Sequence, residues 1–133
     1  MLSKEGTGPS WGLVIEEARE GYARVRMLVR PDMANGHGIA HGGMIFALAD
    51  TAFAYACNSR NAATVAAHAS ISFLSPANLG ETLGAEAEER AKTGRSGVYA
   101  VRVTADDGRI IAEFQGLSRE IGGPILDSLE GPE

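Results

Sequence analysis

Asp50 is the residue whose type fits its position least well. It lies within Met44–Cys57, fourteen residues that are helix-capable and apolar nearly all round. Such a helix is normally buried, and an ionised carboxylate there is costly unless it is paired, hydrogen-bonded or close to a wet cleft. Residues that break a local rule tend to mark functional sites, so Asp50 is the leading candidate. The alternative is a structural carboxylate held by Thr51, a serine or backbone amides.

Two glycines, Gly42 and Gly43, begin the predicted helix. The first N–H groups of a helix have no intrahelical partner, and the helix dipole is positive there. Glycines let a ligand come close to these donors. The position can therefore bind an anion or polarise a carbonyl oxygen as it gains charge. The simpler interpretation is a tight turn into the helix.

The spacing of these groups predicts an oligomer. Asp50 lies two turns beyond Gly42 and Gly43, which is roughly 12 Å along the helix at about 1.5 Å per residue. That distance is too long for one small reacting group. Asp50 of one copy can meet the glycine amides of another copy across a two-fold axis. We therefore expect a dimer.

The loop before the helix (RPDMANGHGIAHGG) supplies the other polar candidates. Asn35 belongs to an Asn-Gly pair, which is most often a turn. His37 and His41 have a spacing that binds metal on a helix, but the neighbouring glycines argue against a helix and a third ligand is missing. We expect no metal, and we expect His41 to hold the start of the helix by hydrogen bonding. Cys57, at the far end of the helix, is interpreted as a buried structural cysteine.

Composition excludes several classes of protein. The 133 residues carry a net charge of −5, which argues against nucleic-acid binding driven by counterion release. No apolar run approaches the roughly 20 residues of a membrane span. A single cysteine gives no sign of an oxidising compartment. We expect a cytoplasmic protein that binds neither nucleic acid nor membranes.

Hydrophobic periodicity predicts an α+β protein of one domain, residues 1–133, with loose tails at 1–10 and 124–133. Two strand-like runs precede the helix and four follow it, separated by turn signals such as Asp-Gly. The runs are Trp11–Glu17, Tyr22–Val29, Thr64–Leu74, Thr82–Ala91, Gly97–Thr104 and Arg109–Leu117. Hairpin-connected strands favour an antiparallel sheet with the helix on one face.

The segment HGGMIFALADTAFAYACNS resembles the hotdog-fold acyl-CoA thioesterases, most closely the phenylacetic acid degradation type. The motif consists of His41, Gly42, Gly43, Asp50 and the preceding Asn35. Three further segments are similar to the family: ISFLSPA (71–77), GVYAVRV (97–103) and REIGG (119–123). The resemblance implies a curved antiparallel sheet around one long helix. It also implies dimers, often dimers of dimers, with active sites at the subunit boundary.

The resemblance also implies roles for individual residues. Asp50 would be the nucleophile or general base in thioester hydrolysis, supported by Thr51. The Gly42 amide, with Gly43 as a second donor, would polarise the thioester carbonyl. Asn35 would orient the water or the thioester, and His41 would belong to the same catalytic group.

Substrate contacts are implied at two further places. Phe73, Ser75 and Pro76 would contact the substrate, although Ser75 stands where related proteins often have a basic residue. Gly94, Arg95 and Ser96, in the basic turn KTGRS, would help to hold the coenzyme A phosphates.

The implied substrate is phenylacetyl-CoA or a ring-hydroxylated relative, hydrolysed without metal or bound cofactor. Two rival functions stay open at this point. One is a hotdog hydratase or dehydratase in which His41 and Asp50 share the proton transfers. The other is an acyl-CoA binding protein without catalytic activity.

Overall fold

The computed structural model describes residues 11–124 and contains, within them, one α-helix and six β-strands. The order of elements predicted from the sequence is confirmed. The elements are β1 (Val14–Arg19), β2 (Tyr22–Leu28), α1 (Gly42–Cys57), β3 (Ala62–Phe73), β4 (Thr82–Thr93), β5 (Ser96–Ala105) and β6 (Ile110–Pro124). A short 3-10 turn, Pro31–Met33, lies between β2 and α1.

The strands form one antiparallel sheet in the order β1-β2-β4-β5-β6-β3. The chain leaves the sheet after β2, crosses its face as α1, and returns as β3 at the far edge. All six strands contact α1. Six strands spaced about 4.8 Å apart are roughly 24 Å wide, whereas a helix is only about 10 Å across. The sheet must therefore curve around the helix.

Alternate residues of the central strands point at the helix and form the core. In β5 these are Tyr99, Val101 and Val103, which are almost fully buried. The Phe53 ring of α1 lies 5.5 Å from the Tyr99 ring. It also fills the space above Gly116 of β6, where a Cβ atom would lie 2.7 Å from the ring. This aromatic contact sets how closely α1 approaches the sheet.

Side-chain hydrogen bonds hold the C-terminal end of α1. Asn58 Nδ2 donates to the Ala54 carbonyl at 2.8 Å, and its Oδ1 accepts from the Thr64 N–H of β3 at 2.9 Å. Ser59 Oγ accepts from the Gly21 N–H at 2.8 Å. The helix therefore ends at the predicted Asn58–Asn61 stop. It is joined there to β3 through Thr64 and to the turn between β1 and β2 through Gly21.

The predicted end of the last strand was wrong. The last strand-like run was expected to end at Leu117, but β6 continues to Pro124 because β3, starting at Ala62, pairs with it along its length. Backbone pairing with a long neighbour offsets the low strand preference of the Gly-Gly-Pro segment. Of the predicted tails, 1–10 and 124–133, the residues 1–10 and 125–133 lie outside the described part of the chain, whereas Pro124 belongs to β6.

Candidate active site

Asp50 lies in the middle of α1 on a strip that the sheet leaves uncovered. The strip consists of Gly43, Ala47, Asp50 and Ala54, spaced at one helical turn. Among residues 11–124, no hydrogen bond or ion pair involves the Asp50 carboxylate. Burial raises the pKa of Asp50 above its ordinary value. Within this part of the chain, the alternative of a carboxylate held by neighbouring side chains or amides is wrong.

The Thr51 hydroxyl forms no hydrogen bond to Asp50 among the described residues, and its expected support of Asp50 stays a prediction. Its side chain is buried, and Oγ1 donates to the Ala47 carbonyl one turn earlier at 2.8 Å. A threonine inside a helix commonly forms this bond to the preceding turn. The hydroxyl proton of Thr51 is therefore already donated to a backbone carbonyl within the helix.

The start of α1 has one free amide. His41 precedes the helix, and its Nδ1 accepts from the Gly43 N–H at 3.2 Å, which is the expected role of this histidine. The Gly43 amide therefore already has an acceptor within the chain, and its role as a second donor to the substrate stays a prediction. The Gly42 N–H has no acceptor among the described residues. The open donor at the positive end of the helix is therefore Gly42.

Asn35 shapes the loop that precedes the helix. Its Oδ1 accepts from the His37 N–H at 2.8 Å, and its backbone N–H donates to the Ile39 carbonyl at 2.8 Å. Nδ2 is left without a partner among residues 11–124. Asn35 is a turn residue, and it also keeps a free side-chain donor at the site.

A cavity of about 500 Å³ adjoins the start of α1. It brings together five of the residues singled out in the sequence. Its lining consists of Asn35, Ile39, Ala40, Gly42, Ile45, Phe73, Leu74, Ser75 and Pro76. Apart from Asn35 and Ser75, the lining side chains are apolar, and the free Gly42 N–H lies where the helix begins. The cavity therefore suits an apolar group that carries one polar centre.

Two segments form the cavity walls and are joined to each other. The Ala40 N–H donates to the Ala77 carbonyl at 2.7 Å, which ties the loop before α1 to the segment after β3. Arg109 Nη2 donates to the Pro76 carbonyl at 3.1 Å and to the Glu81 carboxylate at 2.7 Å. This second anchor fixes the position of the wall that contains Ser75 and Pro76.

The basic turn lies at the other end of the sheet. Gly94 and Arg95 connect β4 to β5, and Gly94 has φ +60°, a conformation that glycine adopts without strain. Ser96 is in register with Arg119 of β6, which is in register with Val65 of β3. Val65 is eight residues, or roughly 26 Å of strand, from Phe73 at the cavity. Within one chain, therefore, the turn and the cavity do not meet.

The other nucleophilic and titratable candidates take no part in the cavity. Burial raises the pKa of Cys57 to about 12, so the thiol stays protonated near neutral pH. His68 lies on the exposed part of β3. In the described part of the chain, no group of three or more His, Cys, Asp or Glu is placed to bind a metal ion. No helix within residues 11–124 is long and apolar enough to span a membrane.

Four cavity residues were not predicted from the sequence: Ile39, Ala40, Ile45 and Leu74. Apolar residues at these positions are ordinary for core and loop segments and carry no functional signal. They come together only because the loop before α1 crosses the end of β3. The sequence contains no local signal for that crossing.

A family model described as the thioesterase superfamily matches residues 37–112, more than half of the chain. The matched region contains Gly42, Asp50 and Phe73. The chain belongs to the thioesterase superfamily. It is a thioester hydrolase, and the assignment made from the helix motif is confirmed.

The similarity to known proteins extends over most of the chain. The chain is 42% identical to the acyl-coenzyme A thioesterase PaaI of Escherichia coli K12, over 94% of this chain and 89% of that protein. The structure of the E. coli PaaI protein from the phenylacetic acid degradation operon matches with a TM-score of 0.91, covering 93% and 90% of the two chains. The predicted hotdog fold is therefore confirmed for this thioesterase.

Two more distant structures agree with it. A mutant form of the phenylacetic acid degradation protein PaaI from Thermus thermophilus is 33% identical with a TM-score of 0.84, covering 88% of this chain and all of that chain. A hypothetical thioesterase from Streptococcus pneumoniae TIGR4, crystallised with coenzyme A, is 26% identical with a TM-score of 0.80, covering 84% and 90%.

Proposed function

We propose that this thioesterase hydrolyses phenylacetyl-CoA or ring-hydroxylated relatives, with Asp50 and the Gly42 amide as its catalytic groups. The observation that carries the proposal is the unpartnered Asp50 carboxylate, on the open strip of a helix whose first amide is also free. The names of the E. coli and T. thermophilus relatives support the acyl-CoA substrate and its place in phenylacetic acid degradation.

The chemistry needs one base and one polarising donor. The thioester carbonyl accepts a hydrogen bond from the Gly42 N–H, which stabilises the negative charge that develops on its oxygen. The ionised Asp50 either takes a proton from an attacking water or attacks the carbonyl carbon itself. With activated water, the water oxygen bonds to the carbonyl carbon, the carbon–sulfur bond breaks, and the coenzyme A thiolate takes the proton that Asp50 removed. With direct attack, Asp50 forms a mixed anhydride as the thiolate leaves; water then hydrolyses the anhydride, giving the free acid, the regenerated carboxylate and a proton for the thiolate. Neither version requires a metal or a bound cofactor.

The residues around the helix start have supporting roles. The free Nδ2 of Asn35 donates to the thioester or to the attacking water. His41 positions the Gly42 amide, because its Nδ1 holds the adjacent Gly43 N–H. Phe73, Ser75 and Pro76 form the wall against which the substrate lies.

A second copy of the chain completes the site. Asp50 does not line the cavity at Gly42, and the continuous helix holds the two groups roughly 12 Å apart. The edge of the sheet at β3 supports pairing with a copy, because its twelve residues include no Asp, Glu, Lys or Arg. The opposite edge, β1, carries Glu16, Glu17 and Arg19, the kind of charges that keep a strand edge unpaired.

Antiparallel pairing of two β3 strands also explains the basic turn. In such a pair, the Val65 end of one strand lies beside the Phe73 end of the other. The turn containing Gly94, Arg95 and Ser96 of one subunit then lies beside the cavity of the other subunit. The Arg95 side chain is exposed and has no ion-pair partner among the described residues, so it is free to bind coenzyme A phosphates.

We predict that two such dimers associate into a tetramer. We also predict that the protein is cytoplasmic. Neither is required by a catalytic site that two subunits complete. Sedimentation of the purified protein tests the tetramer.

The decisive experiment is a thiol-release assay on phenylacetyl-CoA and its ring-hydroxylated forms, comparing the wild type with Asp50→Asn. We expect turnover by the wild type and a loss of about 10²–10⁴-fold in the variant. Retained turnover in Asp50→Asn would sink the proposed mechanism. Absence of thiol release by the wild type would sink the proposed function.

A single turnover in oxygen-18 water separates the two roles of Asp50. Label recovered in the Asp50 carboxylate supports covalent attack by the side chain. Label found only in the free acid shows that water attacked the acyl carbon, as expected for activated water.

A further inference from the structure

The Phe73 ring lies against the backbone of Gly42 at the start of α1. Gly42 does not have a positive φ, so its backbone conformation does not require glycine. What a side chain would meet is the Phe73 ring: a Cβ at Gly42 would lie 3.2 Å from Cζ and 3.6 Å from Cε1. The three nearest atoms to that position all belong to Phe73. A methyl group beside the free amide therefore fits only if the tip of the Phe73 ring moves by a few tenths of an ångström.

The Phe73 ring is not part of the aromatic core. Its side chain is 52% exposed, and no ring contact joins it to another aromatic residue within residues 11–124. Its backbone is nevertheless fixed by pairing with Ala112 of β6. The side chain thus stands at the cavity wall, attached to a rigid strand, with its tip on Gly42.

A thioester placed for hydrolysis has its carbonyl oxygen at the Gly42 N–H. Its α-carbon, bonded to the carbonyl carbon, then lies about 1.5 Å from the reacting centre and close to the ring tip. An unbranched α-carbon, which carries two hydrogens and one continuing chain or ring, fits this space. A methyl branch at the α-carbon needs the volume that the Phe73 ring occupies, and tight apolar sites discriminate by such single groups.

We infer that Phe73 is a specificity-determining residue that restricts this thioesterase to acyl-CoA thioesters with an unbranched α-carbon. The inference rests on the proposed function, because it takes the Gly42 amide as the carbonyl donor. It concerns the shape of the acyl group next to the carbonyl and applies equally to aryl and alkyl chains.

Two pairs of substrates, each differing by one methyl group, test the inference. They are phenylacetyl-CoA with 2-phenylpropanoyl-CoA, and butanoyl-CoA with 2-methylbutanoyl-CoA. The quantity measured is the ratio of kcat/KM for the unbranched and branched members, by thiol release. The ratio is taken within one preparation, so the amount of folded protein cancels.

For the wild type we expect a ratio of about tenfold or more. Phe73→Ala should bring the ratio close to one by admitting the branched substrate, and Phe73→Leu should give an intermediate value. Leu74→Ala is the matched control, because Leu74 is the adjacent apolar wall residue and is not among the nearest neighbours of Gly42. It should keep the wild-type ratio.

A wild-type ratio near one, or a wild-type-like ratio in Phe73→Ala, would overturn the inference. A ratio that falls equally in Leu74→Ala would also overturn it, since the effect would then not be specific to the ring on Gly42. Absence of thiol release from all four substrates would overturn the proposed function and this inference with it, whereas release with an unchanged ratio overturns the inference alone.

Discussion

Burial without a partner makes the Asp50 carboxylate a cost to the folded chain. Its pKa is raised in the folded state, so the ionised form is less favourable there than in the unfolded chain. At neutral pH the charge therefore lowers the free energy of unfolding. A catalytic group kept at the expense of stability is common in enzymes.

Asp50→Asn should accordingly raise the midpoint of thermal unfolding at pH 7 while it abolishes turnover. Because protonation also removes the charge, the gain should shrink as the pH falls through the raised pKa and should vanish below the ordinary value for aspartate of about 3.9. Unfolding curves at several pH values measure this. Asp106→Asn, at an exposed turn, is the control and should change little. Equal or lower stability of Asp50→Asn at pH 7 would contradict the argument.

The same raised pKa sets the acid limit of activity. Asp50 acts only when ionised, so kcat/KM should fall as the pH drops through a midpoint above the ordinary aspartate value. The profile is measured by thiol release over the acid range, with circular dichroism to confirm that the protein stays folded. A midpoint at or below about 3.9 would assign the base to another group.

At the scale of elements, the helix was predictable and the length of the last strand was not. The apolar run predicts the helix, and Asn58 to Asn61 predict its end. The structure has the helix end at Cys57, as expected. Gly122, Gly123 and Pro124 indicate irregular chain, yet β6 includes them, because the pairing with β3 is long-range. Strand preference depends strongly on such context.

The site was predictable where the chemistry is local. His41 accepts from the Gly43 N–H, which follows from its position before the helix. The hydrogen bond of the Thr51 hydroxyl to the carbonyl one turn earlier was not predicted, because the sequence does not show which acceptor a buried threonine takes. The cavity itself depends on the bond between the Ala40 N–H and the Ala77 carbonyl, and these residues are far apart in sequence.

The contact of α1 with β6 gives a prediction about stability. Gly116→Ala would put a Cβ 2.7 Å from the Phe53 ring, so we expect a loss of about 1–3 kcal/mol in the free energy of unfolding. Gly84→Ala in β4 is the matched control, since a Cβ there meets nothing within 4 Å and φ is not positive. It should be neutral or stabilising by about 0.4–1 kcal/mol. Urea unfolding of both variants measures the difference, and equal effects would show that the Phe53 contact is not tight.

At the scale of the whole molecule, the proposed active site takes Asp50 from one subunit and Gly42 from the other. Gly42→Pro removes the amide donor, and proline is accepted at the first helical position. Because the proline ring needs the space that the tip of the Phe73 ring occupies, the substitution is combined with Phe73→Ala in the same chain. The preceding His41 has φ −62° and ψ 138°, a conformation compatible with a following proline. This variant and Asp50→Asn should each be inactive as homodimers.

A mixed dimer of these two variants should recover about half of the wild-type activity, because one of its two sites receives Asp50 and the Gly42 amide intact. Co-expression with two different tags allows the mixed dimer to be isolated and assayed. A mixed dimer as inactive as its parents would place both groups in one subunit.

The uncharged edge of β3 has a consequence for the enzyme in dilute solution. If the sheet edge joins two halves of each active site, catalysis obeys mass action in the protein itself. Below the dissociation constant of the dimer, the rate should fall with the square of the protein concentration, although every chain stays folded. Because β3 has no Asp, Glu, Lys or Arg and can pair with a copy, the activity per chain should depend on how much of the protein is present.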